Sequence, residues 1–234
     1  MNWQVPNMWE GGECWIIGGG PSLPQQFDIP DHIVTEVVNR RLTPDAYSPY
    51  LSTIHKKHVI GINAAYLLGN WVDIMFFGDN GFYQSHRNAL LQWDGIKIGC
   101  SIGQGQKELD GVKMLSRDGN KKYGISKDPS KVCWNGNSGA AAISVAANAG
   151  VKRIILVGFD MILIEGQQHW HGVYKRAQIN RVKPKQDIKT PFERHLIGFP
   201  QIATDARARG IEIINASPNS KINSFPKATV KELL

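Results

Sequence analysis

Short apolar runs recur along the chain, and each ends in a glycine, an asparagine or an aspartate. Cys14–Ile17 runs into Gly18-Gly19-Gly20-Pro21-Ser22, His58–Ile62 into Asn63, and Asp73–Phe77 into Gly78-Asp79-Asn80. Ile154–Val157 runs into Gly158-Phe159-Asp160, and Ile211–Ile214 into Asn215. Runs this short, rich in Ile and Val and without polar alternation, predict strands buried on both faces, as in a parallel sheet. Five strands are predicted, with Ile96–Cys100 as a sixth candidate. Polar residues that follow strand ends fall at the carboxyl edge, where open α/β sheets bind ligands.

Two helices are well signalled. Ser138–Ala149 is alanine-rich, opens after Asn137 and stops at Gly150, a residue suited to the turn that ends helices. Thr190-Pro191-Phe192-Glu193 combines a Thr cap, Pro at the first helical position and Glu at the third, which predicts a helix running to about Arg209 and ended by Gly210. Each helix leads directly into a strand. Between Ile164 and Lys189 the chain is polar and basic without clear periodicity, and a loop of that length in a compact domain reads as a lid or binding loop. No repeat or linker interrupts the pattern. The reading is a single α/β domain over residues 1–234, with a Rossmann-like, mostly parallel sheet, helices on both faces and a basic lid loop near 164–190.

Composition narrows the class. Hydrophobic residues make up 42% of the 234 and charged residues 20%, enough for one core and too ordinary a balance for a disordered chain. The net charge of +7 is uneven. Glu10, Glu13, Asp28, Asp31 and Glu36 precede the first basic residue, Arg40, so the remainder of the chain carries +12. That excess suits an anionic partner such as a nucleotide, a nucleic acid or an acidic glycan. Cys14, Cys100 and Cys133 are odd in number and widely spaced, which argues against a disulfide framework or a zinc knuckle and for a reducing compartment. The first residues have neither a basic nor an apolar signal region, and the longest uncharged run, Val132–Val151, holds three asparagines and three glycines. A cytoplasmic protein without a membrane span is expected.

Candidate chemistry sits at the strand ends. The Gly18–Ser22 loop can bring backbone N–H groups to a phosphate or sugar, or can be a tight turn only. Leu23 stands where the dinucleotide fingerprint needs its third glycine, and no G-x-x-x-x-G-K-[ST] occurs, which excludes a P-loop NTPase. Asn137, Ser138 and Gly139 at a helix start suit a nucleotide phosphate, and equally a plain N-cap. Asp160, Asn63, Asp79 and Asn80 follow strands, where each can meet a ligand or make a turn. His169-Trp170-His171 places two imidazoles in a loop, able to act as bases or ligate a metal, but no third ligand stands at a familiar spacing and no metal is expected. His195 lies early in the second helix. Lys175, Arg176 and Arg181 lie in a run without acids that can grip phosphates or simply be solvated.

In order along the chain stand G-G-P-S after the first strand, G-I-N-A-A-Y, F-G-D-N, N-S-G-A before a helix, I-I-L-V-G-F-D and A-S-P-N-S-K-I-N-S-F-P. From about Trp15 to Phe225 this order resembles bacterial sialyltransferases. It also resembles the wider group of motility-associated, hydroxymethylpterin-diphosphokinase-like and tailed-phage proteins, the G-F-D and H-W-H-G pair being most similar to the phage members. The resemblance implies a nucleotide-sugar site formed by Gly19, Gly20, Pro21, Ser22, Asn63, Asn137, Ser138, Gly139 and Asp160. It implies a catalytic histidine ahead of the last helix–strand pair, for which His195 has the spacing and His169 and His171 are rivals. Two departures stand out: the family's Asn-Gly-Pro-Ser is Gly19-Gly20-Pro21-Ser22, and the aromatic residues after its G-x-D turn are Met161 and Ile162.

The function expected is a metal-independent glycosyltransferase that uses a nucleotide-sugar as donor substrate and needs no resident cofactor; the acceptor stays open between modified DNA or another anionic acceptor, a glycan and a small molecule. The alternatives are a pyrophosphoryl transferase holding Mg²⁺ on Asp79 or Asp160, and a non-catalytic module binding nucleotide or nucleic acid.

Overall fold

The computed structural model describes residues 3–101, 109–174 and 191–234. Among the described residues eight strands make one sheet: β1 (Glu13–Ile17), β2 (His58–Ile62), β3 (Ile74–Phe77), β4 (Ile96–Ser101), β5 (Val112–Arg117), β6 (Lys131–Val132), β7 (Arg153–Val157) and β8 (Glu212–Asn215). Their spatial order is β6-β5-β4-β3-β2-β1-β7-β8, and every neighbouring pair is parallel. The sheet is thus wholly parallel, the limiting case of the mostly parallel sheet expected. Two strands escaped the sequence pattern. β5 buries only Leu115 fully, so it shows no apolar run, and β6 is two residues long.

The chain lays β2 to β6 outward on one side of β1, then returns to place β7 on the other side. Cys14 pairs with His58 of β2 and with Ile154 of β7. The crevice at the carboxyl ends of β1 and β7 is the switch point of the sheet, the place where open parallel sheets take ligands.

Alternation along the strands sends Cys14 and Ile16 to one core and Trp15 and Ile17 to the other. On the first face lie α4 (Ser138–Asn148) and α6 (Phe199–Ala208); α1 (Leu23–Gln26), α2 (Asp31–Val38), α3 (Asn80–Gln92) and the 3₁₀ helix Pro44–Ile54 lie on the second. Residues 140–147 of α4 are all buried, and five of those eight are alanine. Small side chains let this helix lie close across β1, β2 and β3, and alanine costs least in helix propensity. Among the described residues no helix is long and apolar enough to cross a membrane.

The long second helix of the sequence reading is corrected. It is two pieces, α5 (Phe192–Leu196) and α6, joined at Ile197-Gly198. Pro200 has no N–H to return to Leu196, so the ladder stops there and restarts in the proline-tolerant first turn of α6. Thr190 lies outside the described residues, and Pro191 precedes α5 without a side-chain cap.

Candidate functional site

A cleft of about 320 Å³ opens at the β1/β7 switch point. Gly18, Gly19 and Gly20 form one wall, Gly158, Phe159 and Asp160 the next, and the start of α4 a third. Gly20 N donates to Gly158 O at 2.8 Å, so the loop after β1 is laced to the loop after β7 beyond the last sheet bond.

Asp160 is 1% exposed. Its Oδ2 accepts from Ser22 N at 3.0 Å, while Oδ1 is buried with no partner among the described residues. Burial pushes its carboxyl above the usual range, and the hydrogen bonding with Ser22 opposes that. Ser22 is itself buried and donates to Ser217 Oγ at 3.2 Å, which in turn accepts from Phe159 N at 3.2 Å. Ser220 Oγ donates to Phe159 O at 2.6 Å. The A-S-P-N-S segment after β8 therefore holds the cleft floor from below.

Asn137 caps α4, its Oδ1 accepting from Ala140 N at 2.8 Å, and its Nδ2 donates to His195 O at 3.2 Å. Both ends of that amide are used for architecture. The N–H groups of Ser138 and Gly139, in the first turn of an eleven-residue helix, have no intrahelical acceptor and lie on the cleft wall, as an anion site requires.

Two imidazoles line the same cleft. His169 Nδ1 lies 3.3 Å from Gly19 O, and since a carbonyl only accepts, Nδ1 carries the proton and the neutral ring keeps its lone pair on Nε2. Burial lowers its pKa, so the neutral form prevails near pH 7. His195 is lowered further, to about 4, by burial and then by Arg194 and His169. His195 is not early in a long helix, as the sequence pattern predicts, but in the last turn of the short α5. His171 does not line the cleft. It is buried behind His169, the rings stacked with centroids 5.2 Å apart and 7° between planes, and burial holds it well below the usual histidine value.

Within the expected lid, His169 and Trp170 are anchored on the glycine loop. Trp170 is 1% exposed, its Nε1 donates to Gly18 O at 2.8 Å and its backbone N–H to Gly19 O at 3.1 Å. Lys175, Arg176 and Arg181 lie outside the described residues.

Of the other expected positions, Asn63 and Asp79 line the cleft. Asn63 is held at φ 51°, with its Oδ1 buried and unpartnered among the described residues. Asp79 caps α3 through Gly81 N at 2.8 Å. Asn80, the exposed first residue of α3, and Pro21, at the head of α1, do not line it. Trp134, Phe192 and Arg194 do, and the sequence reading missed all three. A tryptophan three residues before the N-S-G turn was a usable signal for the first.

Among the described residues no three His, Cys, Asp or Glu side chains cluster as a metal site would need. The three cysteines are free and buried, and burial raises each thiol pKa, to about 11 for Cys100 and about 12 for Cys133. Compared with protein-family models, with curated proteins and with solved structures, the chain matches none.

Proposed function

We propose that the chain is a nucleotide-sugar-dependent glycosyltransferase working by one direct displacement, with a histidine of the β1/β7 cleft as general base. The observation that carries this reading is His169, a neutral imidazole with Nδ1 committed to Gly19 O, in the same cleft as the open N-terminus of α4. An acceptor hydroxyl gives its proton to Nε2 as its oxygen attacks the anomeric carbon and the bond to the donor phosphate breaks. The departing phosphate takes up hydrogen bonds from the Ser138 and Gly139 N–H groups, which are oriented before the reaction begins. His195, with its pKa near 4, is the poorer base at neutral pH. The ordered motifs that resemble those of sialyltransferases support a sugar linked to a nucleoside phosphate, and the net charge of +7 supports an anionic acceptor, DNA included. Three buried free thiols suit a cytoplasmic setting.

A thermal-shift series with CMP-, UDP-, GDP- and ADP-linked sugars tests donor binding, since a donor at 100 times its Kd stabilises the fold by about 2.7 kcal/mol. Turnover of the responding donor then separates the histidines. His169→Asn lowers kcat about 10²–10⁴-fold with little change in donor affinity. The same loss at His195→Asn, with His169 replaceable, moves the base to α5.

Asp79 and Asp160 line the same cleft, and this favours pyrophosphoryl transfer on Mg²⁺ as the second reading. Strict Mg²⁺ dependence, abolished by EDTA, would select it. Donor binding with both histidines replaceable and no turnover would leave a binding module.

A further inference from the structure

Trp134 lines the cleft and does not hold its place by chance packing. The Arg117 guanidinium lies 3.5 Å from its ring centroid, and Arg117 Nη2 also donates to Gly78 O at 2.8 Å. Gly78 follows β3, and a Cβ built there would overlap the six-membered ring of the indole. Three elements thus fix this side chain: the end of β3 leaves room for it, the end of β5 covers it with a cation, and the turn after β6 supplies it. Arg117 is not part of the cleft wall, so the guanidinium takes ring surface turned away from the cleft. Phe192, Met161 and Ile162 also line the cleft, so apolar side chains stand among its polar ones.

Resting on the nucleotide reading above, we propose that Trp134 is the stacking platform for the nucleobase of the ligand, with Arg117 as the residue that positions it. A flat heteroaromatic ring laid on a pre-fixed indole loses little freedom from the protein side, and such stacking contributes substantially for any base. Trp134 then takes the base, and the start of α4, which adjoins it in sequence, takes the phosphate. The ligand class is a nucleoside phosphate, recognised through its base and not through a sugar-phosphate alone.

The test is calorimetry with the four nucleoside 5′-monophosphates of C, U, G and A and with ribose 5-phosphate, which lacks only the base. Wild type, Trp134→Leu and Trp134→Phe are compared, each checked for cooperative unfolding. For the best-bound nucleotide, Trp134→Leu raises Kd about 5–150-fold, the range expected for one lost base stack. Its affinity falls to that of ribose 5-phosphate, which itself is unchanged, and Trp134→Phe restores most of the loss. Arg117→Met, which removes the cation from behind the ring, produces a smaller loss in the same direction for nucleotides only. Wild-type nucleotide binding that Trp134→Leu leaves intact, or that ribose 5-phosphate equals, overturns the platform and leaves the nucleotide reading standing. A wild-type chain that binds none of the nucleotides overturns both.

Discussion

Single residues in the glycine run after β1 look interchangeable in the sequence, yet their surroundings separate them. A Cβ on Gly18 would stand 2.6 Å from Gly158 O, and one on Gly20 would meet both that carbonyl and the Asp160 carboxylate. These two close loop against loop. A Cβ on Gly19 would instead stand 2.8 Å from His169 Nδ1, an imidazole packed against His171 and Tyr174. Gly20→Ala is therefore expected to destabilise the fold by about 1–3 kcal/mol in urea titrations, the usual cost of overfilling a tight site. Gly19→Ala is expected to displace His169 from Gly19 O, so that its cost appears in kcat as well as in stability. The sequence could mark this loop as special because three glycines after a buried strand are rare company. It could not divide their roles, because the atoms that do so belong to residues 158, 160 and 169.

Elements were legible where their signal was local. The α4 helix, with Asn137 before it and Gly150 after it, needed nothing beyond its own composition, and β1, β2, β3, β7 and β8 announced themselves as apolar runs. The second helix was misread because a good capping pattern at residues 190–193 outweighed Gly198 and Pro200, which end α5 and start α6. β5 was invisible because an outer strand with only Leu115 fully buried has no pattern to show. The cap of α4 carries a measurable consequence. Asn137→Ala removes the acceptor of Ala140 N and the donor to His195 O together, and the first loss alone costs about 1 kcal/mol. Chemical denaturation should show that loss. Limited proteolysis should show α5 cut sooner than in wild type, since the tether of His195 goes with the cap.

At the scale of the molecule, buried imidazoles make the fold sensitive to acid. His55, His86, His169, His171 and His195 all have pKa values lowered by burial. Below the ordinary histidine value of about 6.5 the unfolded chain takes up protons that the folded chain resists. Stability is thus fully present above pH 6.5 and is lost as pH falls through the folded values, down to about 4 for His195. Asp73 and Asp160, raised by burial, act with the opposite sign nearer the carboxylate range. Urea midpoints should therefore fall between pH 7 and pH 5, and His171→Gln should flatten that slope. Little of this was legible in the sequence, where seven histidines have no visible surroundings. The switch point has a consequence of another kind. β1 joins β7 across 140 residues of chain, from Glu13 to Arg153, and the glycine-loop and Gly158–Asp160 walls of the cleft meet only through that closure. Contacts so distant in sequence form slowly, since the entropy of closing the loop is lost before the pairing repays it. In refolding, the β1–β2 pairing is therefore expected to precede the β1–β7 pairing, and the cleft between the two loops to form only with the second.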